Sequence, residues 1–107
     1  MTSYVQDKQL TLALCGEIDH HRAGEILRTI SEKIDEYLPR QCILDFRDVT
    51  FMDSSGIAIV IHAVRRVREL GGGLRLQNVP QQAEKVLRAA GVQRITEIRG
   101  GGQDEAV

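Results

Sequence analysis

Apolar and polar residues alternate in QLTLALCG, residues 9–16, with Leu10, Leu12 and Leu14 on one side and Thr11 and Ala13 on the other. A period of two sets one face of a β-strand into a core. A shorter strand over residues 4–6 precedes it, and Asp7-Lys8 forms the turn between them. The period then changes. Ala23, Ile26, Leu27, Ile30, Ile34 and Leu38 recur every three or four positions, which draws one apolar stripe along a helix with charges opposite. Asp19 stands where a side chain can accept from the free amides of the first turn, and Pro39 stops the helix. CILDF, residues 42–46, has the length and composition of a central strand.

DVTFMDSS leads into a second helix over residues 55–70, which Gly71-Gly72-Gly73 ends. LRLQNV alternates again as a strand. Pro80 opens a third helix where a missing amide is harmless; Ala83, Val86, Leu87 and Ala90 face the sheet and Gly91 ends it. Residues 95–98 make a last short strand. Strands alternating with helices predict an α/β fold: a mixed, mostly parallel sheet of four to five strands with three or more helices. One domain spans residues 1–99, and GGGQDEAV, residues 100–107, is expected to be a disordered tail.

A chain of 107 residues is one domain, large enough for a core without metal or disulfides. The aromatics are only Tyr4, Tyr37, Phe46 and Phe51, so that core is aliphatic. A formal net charge of −1 steers the chain towards neither nucleic acid nor an anionic membrane. Cys15 and Cys42 lie in apolar runs without metal-ligand spacing and are read as two buried, reduced thiols. No basic stretch followed by an apolar one opens the chain, and no apolar run nears the ~20 residues of a membrane span. The expectation is a cytoplasmic protein, monomeric when free.

Sites of catalysis are not evident. His20, His21 and His62 lack the spacing of a metal set. No phosphate-binding or dinucleotide-binding glycine motif is present, and no G-x-S-x-G surrounds Ser54. Arg65, Arg66 and Arg68 are interleaved with acids such as Glu69, as on a solvated helix face rather than a nucleic-acid surface. No cofactor is expected.

The informative stretch is DFRDVTFMDSSGIAIVIHAVRR, residues 45–66. Asp53, Ser54 and Ser55 fall where a strand passes into a helix, a place where oxygens satisfy orphan amides and where a phosphate is also welcome. Gly56 permits a close approach. On a helical wheel Ile57, Val60, Ile61, Val64 and Val67 form the core stripe, while Ala58, Ile59 and His62 project from the other side. An outward Ile59 beside a modifiable serine suggests a docking surface. Taken alone it is more often a lone exposed apolar residue, or one covered by the third helix. A serine pair before a helix is most often a simple cap. The residues alone therefore stop at an α/β domain with a suggestive helix start.

FMDSSG, residues 51–56, resembles the signature of bacterial anti-sigma-factor antagonists, which are STAS domains, and GEIDHH, residues 16–21, is similar to the GELDHH of sporulation members. Both motifs lie at the expected separation, and the likeness runs from about Val5 to Arg99. The resemblance implies a STAS fold and a regulatory role without enzymatic activity. An unphosphorylated antagonist binds an anti-sigma factor that is itself a serine kinase with ATP or ADP, and a sigma factor is released. The kinase phosphorylates the first serine after the aspartate, here Ser54, and a serine phosphatase resets it. The implied partner surface comprises Asp19, His20, His21, Arg22, Asp53, Ser54, Ser55, Gly56, Ala58, Ile59 and His62. A STAS module that senses a nucleotide or serves as a scaffold is the alternative. A serine hydrolase is a third reading. Members often add a final helix, which GGGQDEAV does not suggest.

Overall fold

A computed structural model describes residues 1–101. Two strands, β1 (Thr2–Gln6) and β2 (Gln9–Ile18), form an antiparallel hairpin. Its turn is Asp7-Lys8, both at positive φ as a two-residue hairpin turn requires. Helix α1 (His20–Tyr37), strand β3 (Gln41–Met52), helix α2 (Ser55–Glu69), strand β4 (Gly73–Val79), helix α3 (Gln81–Ala89), a single 3-10 turn (Val92–Arg94) and strand β5 (Glu97–Gly100) follow. The sheet order is β1-β2-β3-β4-β5, parallel from β2 onward.

Each parallel step moves one strand in the same direction, so right-handed crossovers set α1, α2 and α3 on the same face. Packing agrees. Leu10, Leu12 and Leu14 of β2, Cys42, Leu44 and Phe46 of β3, and Leu76 of β4 share one core cluster with residues of all three helices. The alternate positions Thr11, Asp45, Arg75 and Gln77 are only half-buried on the opposite face. Ile43 is buried between Thr11 and Arg75 in register, outside that cluster.

The two ends of the sheet are held differently. Where β2, β3 and β4 begin, main chain binds main chain: the amides of Arg40 and Gln41 donate to the carbonyl of Lys8 at 2.9 and 3.3 Å, and that of Gly73 donates to Arg40 at 2.9 Å. Gly72 lies so close there that a Cβ would stand 2.6 Å from the Arg40 carbonyl oxygen. Where the strands end, side chains of Asp19, Arg22, Asp53 and Gln82 make many of the bonds.

Several expectations are corrected. Leu38 is not part of the α1 stripe: it caps the helix at φ 45 and is 54% exposed, because Pro39 forces the chain to leave there. Strand β3 continues to Met52 rather than stopping at Phe46, since β2 keeps pairing with it through Ile18–Met52. Ala90 is exposed, as α3 buries only Ala83 and Leu87 fully. The last strand starts at Glu97, because residues 92–94 wind a 3-10 turn first. Gly100 belongs to β5, and the amide of Gly101 donates to Val79 at 2.9 Å. The rest of the expected tail, from residue 102, lies outside the described residues. Cys42 is buried, and burial pushes its thiol up to about 12, but Cys15 is exposed, on the face of β2 that it shares with Thr11 and Ala13, away from the core.

Candidate functional site

Parallel strands finish at one end of a sheet, so β2 and β3 deliver the starts of α1 and α2 side by side. The amide of Asp53 donates to the carbonyl of Ile18 at 3.0 Å and ties the two junctions together. In the first junction Asp19 is the cap: its Oδ1 accepts from the amides of His21 and Arg22, each at 3.0 Å. His20 and His21 are both exposed, their ring centroids 4.1 Å apart. Arg22 turns back towards β2, where Nη1 donates to the carbonyls of Glu17 at 2.6 Å and Cys15 at 3.2 Å. It closes over Gly16, whose φ of +78 strains any other residue and where an added Cβ would press on that guanidinium.

In the second junction the capping group is Asp53, not Ser54. The Asp53 carboxylate accepts from the Ser55 amide at 2.8 Å and from the Ser55 hydroxyl. These bonds from Ser55, with smaller contributions from His20, hold the Asp53 carboxyl below its ordinary range. The first turn is tight: Gly56 donates to the Asp53 carbonyl and Ile57 to that of Ser54, both at 3.1 Å. Ser54 itself is exposed and its hydroxyl caps nothing. Gly56 is buried over the Met52 side chain, whose Sδ an added Cβ would strike. The close approach expected at this glycine is thus to a thioether rather than to another backbone.

Ala58 and His62 are exposed and stand four and eight residues after Ser54, one row along the outer side of α2. His62 Nε2 lies 2.9 Å from Ser31 Oγ on α1, and one turn further Arg66 Nε donates to Asp35 at 2.8 Å and Nη1 to Glu69 at 3.2 Å. Ile59 is not an outward residue. It is 2% exposed and belongs to the core. The helix buries Gly56, Ile59, Val60, Ala63, Val64 and Val67, while Ile57 and Ile61 are half-buried. The expected stripe was out of phase because α2 packs on α1 as well as on the sheet, and a helix with two neighbours buries a wider arc than a single stripe. Ile59 is thus neither outward nor singly exposed but lies in the core cluster that the sheet shares with all three helices.

The structure thus brings together Asp19, His20, His21, Asp53, Ser54 and Ser55, with Ala58 and His62 along the same helix. Arg22 stands behind them, and Gly56 and Ile59 are beneath the surface. Two further residues of this end were not singled out in the sequence. Phe51 is 43% exposed one residue before Met52, a large apolar side chain left in solvent beside the site. Gln82 of α3 bonds to the end of β3. The first could have been found from FMDSSG itself; the second has no sequence signal.

Among the described residues no group of His, Cys, Asp or Glu could hold a metal ion, and no helix is long and apolar enough to cross a membrane. A family model described as the STAS domain matches residues 1–101. The chain is 30% identical over 88 residues to the anti-sigma F factor antagonist of Lysinibacillus sphaericus, covering 82% of this chain and 75% of the relative. The anti-sigma factor antagonist SpoIIAA in its unphosphorylated form is structurally similar, with a TM-score of 0.77, 26% identity, and coverage of 98% and 90%. The phosphorylated Bacillus cell fate determinant SpoIIAA is also similar, with a TM-score of 0.68, 28% identity, and coverage of 96% and 91%. A mixed five-stranded sheet with three helices, a match along all the described residues, and relatives that are anti-sigma factor antagonists lead to one statement: the chain belongs to the STAS domain family.

Proposed function

We propose that this chain is an anti-sigma factor antagonist of the sporulation type, switched off by phosphorylation of Ser54. It is a ligand and a substrate, not an enzyme. In the unphosphorylated state it binds an anti-sigma factor that is a serine kinase carrying ATP or ADP, and a sigma factor is set free. A serine phosphatase restores the binding form. Asp19, His20, His21, Asp53, Ser54, Ala58 and His62 make the contact surface, with Phe51 at its border.

The observation that carries this reading is the Ser54 hydroxyl: exposed, unneeded as a cap, and at the head of the row through Ala58 and His62. Because Asp53 does the capping, modification of Ser54 leaves the helix start intact. A phosphoserine adds about −1.5 to −2 charge. Arg22, the cation of this rim, is already committed to the carbonyls of Cys15 and Glu17. The new charge therefore faces the partner uncompensated. Burying it there costs several kcal/mol, and about 4 kcal/mol corresponds to roughly a thousandfold in affinity.

The test begins with affinity capture of the partner kinase. That kinase and ATP are then incubated with the chain, and phosphopeptides are read by mass spectrometry. Phosphate on Ser54 supports the reading; phosphate only elsewhere, or none, overturns it.

A further inference from the structure

Strand β3 pairs with β4 only from Gln41 to Asp45, while its pairing with β2 continues to Met52. Its last residues would therefore lack a ladder on the β4 side. At Met52 a single side chain supplies one. The Met52 amide donates to Gln82 Oε1 at 2.9 Å, and Gln82 Nε2 donates to the Met52 carbonyl at 2.8 Å. A primary amide is the one side-chain group that can donate and accept in the spacing of a peptide unit. Gln82 thus stands in for a neighbouring strand, from the second residue of α3.

What it holds matters. Met52 is followed directly by Asp53 and Ser54, and its thioether lies under the first turn of α2, where Gly56 alone leaves space. The other side of the same junction is fixed by the bond from the Asp53 amide to Ile18. Met52 is accordingly clamped on both edges, immediately before the serine.

We propose that Gln82 is a positioning residue for Ser54: its amide fixes the end of β3 so that the hydroxyl is held in one place for phosphoryl transfer. The inference rests on the reading of Ser54 as the phosphorylated residue. Loss of the clamp lets the junction move while the core stays folded, so a kinase meets the same surface but a poorly placed hydroxyl.

The experiment compares wild type with Gln82→Met, which keeps length and loses both bonds, and Gln82→Glu, which keeps the acceptor alone. Amide hydrogen exchange is followed at Met52 and Leu44. Ser54 phosphorylation is followed with ATP and the kinase captured as above. In Gln82→Met, exchange at Met52 should rise about tenfold or more while Leu44 stays within about twofold. The kcat for phosphorylation should fall by about tenfold with KM nearly unchanged, and Gln82→Glu should lie between. Unchanged Met52 exchange, or a uniform rise across the sheet, overturns the clamp. An unchanged kcat on a wild-type site that is phosphorylated overturns the positioning role. If wild type takes no phosphate at Ser54, the switch itself fails, and the clamp stands or falls on the Met52 exchange alone.

Discussion

At the scale of the residue, the division between what carries the fold and what faces a partner is sharp along α2. Ile59 fills the core, so Ile59→Ala should cost about 2–5 kcal/mol in chemical denaturation. Its neighbour Ala58 is exposed, so Ala58→Glu should alter stability by no more than about 0.5 kcal/mol while weakening capture of the partner kinase. A variant at Ala58 that keeps full binding would remove that residue from the proposed surface. The two cysteines divide in the same way. A thiol reagent at mildly alkaline pH should label Cys15 quickly in the folded protein and leave Cys42 unlabelled until it unfolds, because burial raises the Cys42 thiol to about 12 and hides it. Peptide mapping after brief labelling distinguishes them. Composition did not separate them, since both cysteines sit in apolar runs; the alternation of β2 does, because Cys15 follows Thr11 and Ala13 on the face opposite Leu10, Leu12 and Leu14, while Cys42 lies on the core face of β3.

At the scale of the element, periodicity predicted most of what packing later used. The alternation Leu10, Leu12, Leu14 and the stripe Ile26, Ile30, Ile34 are core positions, and Asp19 is the cap its place suggested. The second helix was harder. Its apolar residues run almost without interruption, so a wheel built for one neighbour cannot tell which arc a second neighbour covers. The junction before it was harder still, since three consecutive oxygens could each have capped the helix, and only geometry assigns the task to Asp53. That assignment has a pH signature. The Asp53 carboxyl is lowered by its bonds to Ser55, so its stabilisation is complete above the unfolded value of about 3.9 and fades as pH falls through the lower folded value. Denaturation midpoints of wild type and Asp53→Asn should therefore differ by a constant amount above about pH 5 and converge in stronger acid. The first junction offers a steric counterpart. Gly16→Ala should destabilise by about 1–2 kcal/mol or more, from the left-handed conformation and the Arg22 guanidinium 2.8 Å from the new Cβ. Thermal unfolding measures it.

At the scale of the whole molecule, the order of strands places all helices on one face and all their starts at one end. The sequence disclosed the alternation of elements that makes this arrangement, and the resemblance of FMDSSG and GEIDHH disclosed which end matters. It could not disclose that α3 reaches across to the end of β3 through Gln82, a contact between residues thirty positions apart made by a side chain with no periodic or motif signature. The fold also predicts the character of the switch. Ser54→Asp should unfold at nearly the temperature of wild type, since the hydroxyl supports nothing, yet should capture less kinase; Ser54→Ala should capture it and take no phosphate there. A large fall in the melting temperature of Ser54→Asp would show that the serine serves the fold.

The contrast between the two ends of the sheet has an evolutionary corollary. At the end where Lys8, Arg40 and Gly73 meet, peptide groups bind peptide groups, and such joints tolerate almost any side chain outside the glycines. At the opposite end, much of the anchoring comes from replaceable functional groups. Mutation can therefore rewrite the address that this end presents without disturbing the foundation beneath it. Duplicated copies of such a chain could diverge to serve separate regulators within one cell while folding identically.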